Sequence, residues 1–375
     1  MIKFENVTKR YGKKEILHSI SLDIPKGKIV SIIGRSGCGK TTMLKMINRL
    51  IPITSGHILI NKKNILNMDP VDLRRNIGYV IQQTGLFPHM TVYKNLELVL
   101  ALHRYPKKER EERIDEIMEK MGLTPDLLNH YPIELSGGQQ QRIGVARALI
   151  TDPEVILMDE PFSALDPLTR IALQDDLKHL QNKLQKTIVF VTHDMDEAIK
   201  ISDYICLMRE GHIEEYDTTE TMLRHPTTPF VENFIGKHRI WNSPEFIKAK
   251  DIMVPSVNTC YTQDSLERCL KKAQNTSHPY VIVIDPKTKK FRGFLDIKSL
   301  QNKKADQSPA SDIMYCPPSI LHVEDTLTTI LHLIKESPIP YMVVLNDQET
   351  VAGVITQRNL LKALGEQYTT ETEVM

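Results

Sequence analysis

The chain has 375 residues, 41% of them hydrophobic and 25% charged, a balance that fits an ordinary soluble protein with two or three domains and real cores. Its 48 basic and 47 acidic residues leave a formal charge of +1, so nothing global points to nucleic acid or to an anionic membrane surface, and any membrane contact has to be specific. No apolar run approaches the roughly 18 residues that cross a bilayer, and the odd set Cys38, Cys206, Cys260, Cys269 and Cys316, without a CxxC pair, argues against a disulfide framework and a structural zinc.

The opening stretch from Met1 to Glu5 reads as a strand rather than a signal peptide, so the expectation is a chain that stays in the cytoplasm. Lys28 to Gly34 reads as a buried strand, and from Gly39 to Leu50 apolar residues return at helical spacing. Between them Gly34, Arg35, Ser36, Gly37, Cys38, Gly39, Lys40 and Thr41 fit GxxxxGK followed by Ser or Thr. Glycines in such a loop let backbone N–H groups close around phosphate oxygens, with the helix N-terminus facing the same charge. Lys40 is then placed for the β- and γ-phosphates and Thr41 for Mg²⁺.

From about Thr91 to Leu149 the pattern becomes helical, with Ile114, Ile117, Met118 and Met121 on one face and the charge run from Lys107 to Arg113 as the solvated face. The apolar run Val155 to Met158 ends in Asp159 and Glu160, two carboxylates at the strand edge where open α/β sheets bind ligands, although such a pair alone more often marks a polar turn. As a site, Asp159 holds the Mg²⁺ shell and Glu160 polarises the water that attacks the γ-phosphate. A strand from Thr187 to Thr192, with helical stretches at 167–184 and 194–200, completes a mainly parallel α/β domain with a helical subdomain inserted in it.

Beyond Gly236, Lys237 to Pro244 reads as a linker or a short helix. An internal repeat follows. Ala249 to Met253 returns as Ala310 to Met314, Asp264 to Leu266 as Asp325 to Leu327, and Pro279-Tyr280 with the apolar run to Ile284 as Pro340-Tyr341 with the run to Leu345, all at one offset. Gly293 and Gly353 match after one residue is lost in the turn. The tail beyond this repeat is polar and is expected to be disordered.

Leu135, Ser136, Gly137, Gly138 and Gln139 open a helix ahead of Asp159, and this pentapeptide is the signature of the ABC ATPases, which the chain resembles. Further family motifs stand in the family's order: Tyr11 for the aromatic on adenine, Gln82 for the Q-loop, Ser163 to Asp166 for the D-loop and His193 for the switch histidine. Singly, Tyr11 also reads as a core aromatic, Gln82 or Gln83 as a surface amide, and His193 as a residue flanking the N-cap Asp194. The resemblance implies a P-loop (RecA-like) α/β nucleotide-binding domain over 1–236, with the helical subdomain at about 86–150. It implies ATP contacts from Tyr11, Gly34, Arg35, Ser36, Gly37, Cys38, Gly39, Lys40, Thr41, Thr42, Gln82 and Asp159, with Mg²⁺ at Thr41, Gln82 and Asp159 and with Glu160 and His193 catalytic. It also implies a head-to-tail dimer with a second copy, in which Ser136, Gly137, Gly138, Gln139 and Asp166 reach the ATP of the partner. A groove near Leu86 to His89 would receive a coupling helix of the membrane permease.

The repeat resembles paired CBS modules, here 249–305 and 310–366 after a linker at 237–248, leaving a polar tail at 367–375. In ligand-binding members a hydroxyl residue, and an Asp three positions on that holds ribose, follow the second glycine strand. Those positions carry Asp296 with Ser299 and Thr356 with Asn359, which depart from that pattern. A tandem pair of this kind either has a sensory role, for ionic strength, cyclic di-AMP or another nucleotide, or joins two ATPase chains. ABC ATPase followed by two CBS modules is similar to the ATP-binding subunits of osmoprotectant and quaternary-amine importers. That implies betaine, carnitine or choline uptake, regulation through the modules, a permease, an extracellular or fused solute-binding domain, and a place at the cytoplasmic face of the membrane. An importer of another zwitterion such as ergothioneine is an alternative. A non-transport ABC ATPase usually carries two cassettes or a long coiled coil, and this chain has one cassette and no sustained heptads. Intact Lys40, Asp159, Glu160 and His193 argue against an inactive scaffold.

Overall fold

Buried apolar runs and alternating ones sort the strands into different sheets. A computed structural model describes residues 1–82, 85–236, 239–255, 258–274, 280–296, 307–317, 320–336 and 341–369. Gln83, Lys237, Pro279, Ser299, Pro340 and the tail beyond 369 lie outside them. The chain divides into two units, Met1–Ile235 and Gly236–Met375.

In chain order the first unit runs β1 (Ile2–Tyr11), β2 (Lys14–Ile24), β3 (Ile29–Gly34), α1 (Lys40–Ile47), β4 (Ser55–Ile60), β5 (Lys63–Asn64), α2 (Pro70–Arg75), β6 (Ile77–Val80), α3 (Val92–Leu102), α4 (Lys107–Lys120) and α5 (Gly137–Leu149). It continues with β7 (Val155–Asp159), α6 (Pro167–Leu184), β8 (Thr187–Val191), α7 (Met195–Ile201), β9 (Tyr204–Arg209), β10 (His212–Thr218), α8 (Thr219–Arg224) and α9 (Pro229–Ile235). β3, β7 and β8 are buried at every residue, as parallel strands covered on both faces must be. They form the centre of a six-stranded sheet, β10-β9-β3-β8-β7-β6, parallel except for the β9–β10 edge pair. A separate antiparallel sheet, β2-β1-β4-β5, was not legible beyond its opening strand. Its strands bury roughly alternate residues, so they lack the long apolar runs that mark the parallel core.

The helical insert between β6 and β7 is α3, α4 and α5. Ile114, Ile117, Met118 and Met121 are buried against Leu96, Leu100 and Ile143, as their spacing requires. The charge run on α4 is only partly the solvated face expected of it. Lys107 and Lys108 make loose exposed pairs with Glu111 and Glu112, both at 3.9 Å. Arg110 instead reaches Glu97 on α3 at 3.0 Å with both side chains mostly covered, and the Arg113 guanidinium lies 4.5 Å from the Tyr105 ring. Long basic stems cover apolar surface, and the planar guanidinium also stacks on an aromatic face.

The second unit holds α10 (Ala249–Ile252), β11 (Thr259–Tyr261), α11 (Leu266–Gln274), β12 (Tyr280–Ile284), β13 (Phe291–Asp296), α12 (Ala310–Ile313), β14 (Leu321–His322), α13 (Leu327–Glu336), β15 (Tyr341–Leu345), β16 (Val351–Thr356) and α14 (Gln357–Thr369). The repeat holds at the level of strand register: Cys260↔Val283 and Val283↔Gly293 in one sheet become Leu321↔Val344 and Val344↔Gly353 in the other. The leading segments are exchanged. Ala249 N–H donates to Asp325 O at 2.7 Å and Val254 bridges Val354, while Ala310 N–H donates to Asp264 O at 2.9 Å and Tyr315 bridges Phe294. Each repeat thus completes the fold of the other. The matched glycines follow from this, because a Cβ on Gly293 would sit 2.8 Å from Tyr315 O and one on Gly353 would sit 2.7 Å from Val254 O. α14 runs to Thr369, past the expected start of the polar tail, since no proline follows to stop it.

The faces of the two small sheets share one core of Tyr280, Ile282, Phe294, Tyr341, Val343 and Val354. Trp241, the chain's one tryptophan, packs on the separate core of the second repeat. Phe294→Ala in the first repeat is expected to cost about 3–5 kcal/mol. The urea midpoint read by Trp241 fluorescence should fall with it, and an unshifted midpoint would mean that the repeats unfold independently.

Candidate functional site

The glycine loop joins the end of β3 to the start of α1, so it lies at the carboxyl edge of the parallel sheet. Arg35, Ser36 and Gly37 are exposed, whereas Gly34, Cys38, Gly39 and Lys40 are buried and Thr41 and Thr42 are half-buried. Gly37 and Gly39 take φ of +79° and +107°, which L side chains rarely adopt, and a Cβ on Gly39 would lie 2.5 Å from Leu17 Cδ2. Gly39 caps α1 without a side-chain bond, which leaves the first N–H groups of the helix free to face an anion. Lys40 Nζ donates to Gly34 O at 2.7 Å and Arg35 O at 3.1 Å. The Lys40 ammonium is thus held inside its own loop by two carbonyls.

β7 delivers the carboxylates. Thr41 Oγ1 donates to Asp159 Oδ1 at 2.9 Å, which pairs two hard oxygens of the kind Mg²⁺ prefers. Lys45, one turn along α1 from Thr41, adds its ammonium 3.8 Å from Asp159 Oδ2, a contact that the sequence reading missed although the four-residue spacing carries it. Glu160 turns away from the strand with φ of +46°, and its N–H donates to Val191 O at 2.9 Å. Positive φ at a residue with a long side chain is strain held by its surroundings. Gln82 Nε2 donates to Glu160 Oε2 at 3.0 Å and His193 Nδ1 lies 3.5 Å from Glu160 Oε1, so the Q-loop amide and the switch imidazole meet on one carboxylate. Ser163 Oγ donates to Glu160 O at 3.0 Å from the next turn.

A second cluster forms apart from the first. Ser136 caps α5 by accepting from Gln139 N–H at 3.2 Å, and Gln139 returns a bond to Ser136 N–H at 2.9 Å. Gly138 packs on Thr169 and Gly137 near Leu165, which sets the signature beside the Asp166 N-cap of α6. Hydrogen bonds from the Thr169 side chain first, and then from its N–H, hold the Asp166 carboxyl below its ordinary range. Tyr11 is 51% exposed, which removes the core reading, and Lys9 Nζ lies 4.6 Å from its ring.

A family model for ABC transporters matches residues 17–163, and one for the CBS domain matches 310–366. The chain is 44% identical over 367 residues to the glycine betaine/carnitine/choline transport ATP-binding protein of Bacillus subtilis strain 168, covering 96% of this chain and 95% of that one. This chain belongs to the ABC transporter family. The osmoprotectant import ATP-binding protein of Salmonella typhimurium is 38% identical over 365 residues, covering 95% of this chain and 94% of its own. A dimeric ATP-binding cassette in a post-hydrolysis state with ADP and Pi is 38% identical, with a TM-score of 0.53, and it covers 58% of this chain and 99% of its own. As an ABC ATP-binding subunit the chain hydrolyses ATP. Among the described residues no helix is long and apolar enough to cross a membrane.

Two residues outside the family motifs brace the switch. Glu197 on α7 is buried and accepts from Thr192 Oγ1 at 2.6 Å. Burial pushes its carboxyl up and Asp194 adds to this, while the Thr192 bond opposes it. A native carboxyl that holds its proton more tightly than the unfolded one favours folding fully below the ordinary carboxylate value of about 4.3 and loses that contribution as pH rises through its raised value. Glu197→Gln should therefore match the wild-type urea midpoint near pH 4 and exceed it progressively toward about pH 7. A constant difference across that range would exclude the buried charge as the cause.

Proposed function

We propose that this ABC subunit powers an importer of quaternary-amine compatible solutes of the betaine, carnitine and choline class, as a peripheral subunit at the cytoplasmic face of the membrane. The observation that carries the ATPase reading is the gathering of Lys40, Thr41, Asp159, Glu160, Gln82 and His193 at one sheet edge. The solute class is supported by relatives described as betaine, carnitine and choline transport proteins at 41–44% identity and by one described as an osmoprotectant import protein at 38%, all over nearly the full length.

In this reading the phosphates lie on the N–H groups of Ser36 to Thr42, and Lys40 exchanges its carbonyls for the β- and γ-phosphate oxygens. The exposed Tyr11 ring offers a face to adenine. Thr41, Asp159 and Gln82 would hold Mg²⁺, which neutralises phosphate charge when bound. Glu160 orients the attacking water and accepts its proton, and His193 contacts the γ-phosphate. A second copy brings Ser136, Gly137, Gly138, Gln139 and Asp166 against the same ATP, in keeping with their position in a separate cluster.

The permease is proposed to dock its coupling helix in a cavity of about 410 Å³ at the junction of α2, α3 and α5, whose lining includes Val71, Leu102, His103 and Arg147 but not Leu86 to His89 themselves, to which Arg147 connects it with its guanidinium 5.9 Å from the Phe87 ring. Val71 and Leu102 are half or more exposed, as apolar contacts awaiting a partner would be. The solute-binding domain belongs to the permease assembly, and the CBS pair at 249–305 and 310–366 is assigned a regulatory role, with cyclic di-AMP or a related nucleotide as its ligand. At the second module the Thr356 hydroxyl is bonded to Asn359, so a nucleotide there would have to compete with that contact.

Glu160→Gln is expected to bind MgATP normally and to hydrolyse it at least about 100-fold more slowly, measured by phosphate release from the dimer. Near-normal turnover would remove Glu160 as the base. Leu102→Glu should leave turnover of the isolated subunit intact yet abolish its stimulation by permease in proteoliposomes, and retained stimulation would place the coupling helix elsewhere. The solute class itself is tested by uptake of labelled glycine betaine, carnitine and choline through the reconstituted complex, and transport of none of them rejects the assignment.

A further inference from the structure

Arg170 stands on α6, just after the Asp166 cap, and its fork faces two loops at once. Its Nη2 donates to Leu165 O at 3.1 Å, within the turn that carries Asp166. Its Nη1 lies 3.7 Å from Asp194 Oδ2 and its Nε 3.8 Å from Glu197 Oε1, two of the three carboxylates that closely follow His193. The buried Nε makes no hydrogen bond. On the far side Thr192 Oγ1 donates to Glu197 at 2.6 Å and accepts from Asp194 N–H at 3.0 Å. Both neighbours of His193 are therefore fastened to the group that faces Arg170, and His193 in turn lies against Glu160.

We infer that Arg170 is a positioning residue that ties the Ser163 to Asp166 turn to the His193 loop, so that the placement of one sets the placement of the other. This rests on the reading in which Asp166 faces ATP bound to the partner chain. Separations of 3.7 and 3.8 Å are longer than a charge-assisted hydrogen bond, so the fork has room to close on the carboxylates when the turn is pushed. A guanidinium is required because three acceptors at different angles must be served from one plane, which an ammonium cannot do. Leaving Glu197 buried without its cation would also destabilise the fold, so the test has to separate that effect from positioning.

The experiment uses the full chain and compares Arg170→Gln, Arg170→Lys and the double variant Arg170→Gln with Glu197→Gln. Steady-state hydrolysis is followed against ATP concentration, with melting temperature and MgATP affinity measured alongside. Both single variants should lose about 10- to 100-fold in kcat and lose cooperativity in ATP, with affinity within about threefold of wild type. The double variant removes the orphaned carboxylate, so it should regain the wild-type melting temperature without regaining kcat or cooperativity, and it carries the test if Arg170→Gln alone does not fold. Recovery of kcat together with stability, or wild-type turnover in either single variant, overturns the proposal. Glu160→Gln should form an ATP-dependent dimer on gel filtration with Arg170 or with Gln at that position. Failure only with Gln at 170 overturns the inference, whereas failure with Arg170 present means that the dimer reading itself is wrong.

Discussion

The register of β7 against β8 is the constraint on which the site depends. Asp159 pairs with Val191, Glu160 N–H closes on Val191 O, and β3 pairs with Val191 from the other side through Ile32. Those three strands end together, so the glycine loop, the two carboxylates and the switch histidine emerge at one level of the sheet. A slip of one residue would exchange the two covered faces of β7 and put Met158 or Glu160 where Asp159 stands. Full burial of β3, β7 and β8 makes such a slip very costly, and the apolar core thereby locates chemistry that none of its own side chains performs.

In the second unit the corresponding constraint is exchange. Neither repeat closes its own sheet edge without the leading segment of the other, and the shared aromatic core of Tyr280, Phe294 and Tyr341 ties the two sheets further, with ring centroids 4.3 Å apart for the two tyrosines. The Tyr315 hydroxyl donates to that of Tyr341 at 2.7 Å across the same seam. Burial pushes the phenol of Tyr280 up to about 12 and also raises those of Tyr315 and Tyr341, with the nearby Asp296 charge adding to the last two, so all three stay protonated near neutral pH. A ligand that entered here would have to displace hydrogen-bonded aromatic rings, which favours peripheral positions such as the Thr356 turn over the seam itself.

Legibility followed the kind of interaction. Elements with strong local signals were readable: the glycine loop, the apolar strand ending in Asp159 and Glu160, the capping box from Ser136 to Gln139, and α6 with its Asp166 cap all carry residue types whose local physics is nearly independent of the rest. Elements defined by pairing were not. The antiparallel sheet offers only roughly alternate burial along β1 and β2, and the exchange of leading segments between repeats leaves no mark in either repeat alone. The matched Gly293 and Gly353 were visible as a repeat, but their cause is a carbonyl from a distant segment. Arg110 was assigned to solvent for the same reason, since Glu97 lies on another helix. Arg170 and Glu197 were likewise invisible as a pair, because the ion pair exists only once α6 and α7 pack.

In the proposed reading one chain presents two half-sites with different tasks. The phosphate-binding half is complete but restrained: Lys40 rests on carbonyls of its own loop, and both carboxylate oxygens of Glu160 face the Q-loop amide or the switch imidazole. The signature half is held by contacts within the chain, the Ser136 and Gln139 capping box and the contact of Gly138 with Thr169. If Glu160 orients the attacking water, as proposed, the Gln82 amide on one of its oxygens and the His193 ring beside the other compete with that water, so a change at Gln82 or His193 would alter its readiness. Gln82 leads into the helical insert and His193 leads through Thr192 and Glu197 toward α6, which means that the two partners of the base report on different surfaces. Hydrolysis conditioned on both would couple the chemistry to two docking events at once, and that is the behaviour required of a motor that should idle when either its permease or its second copy is absent.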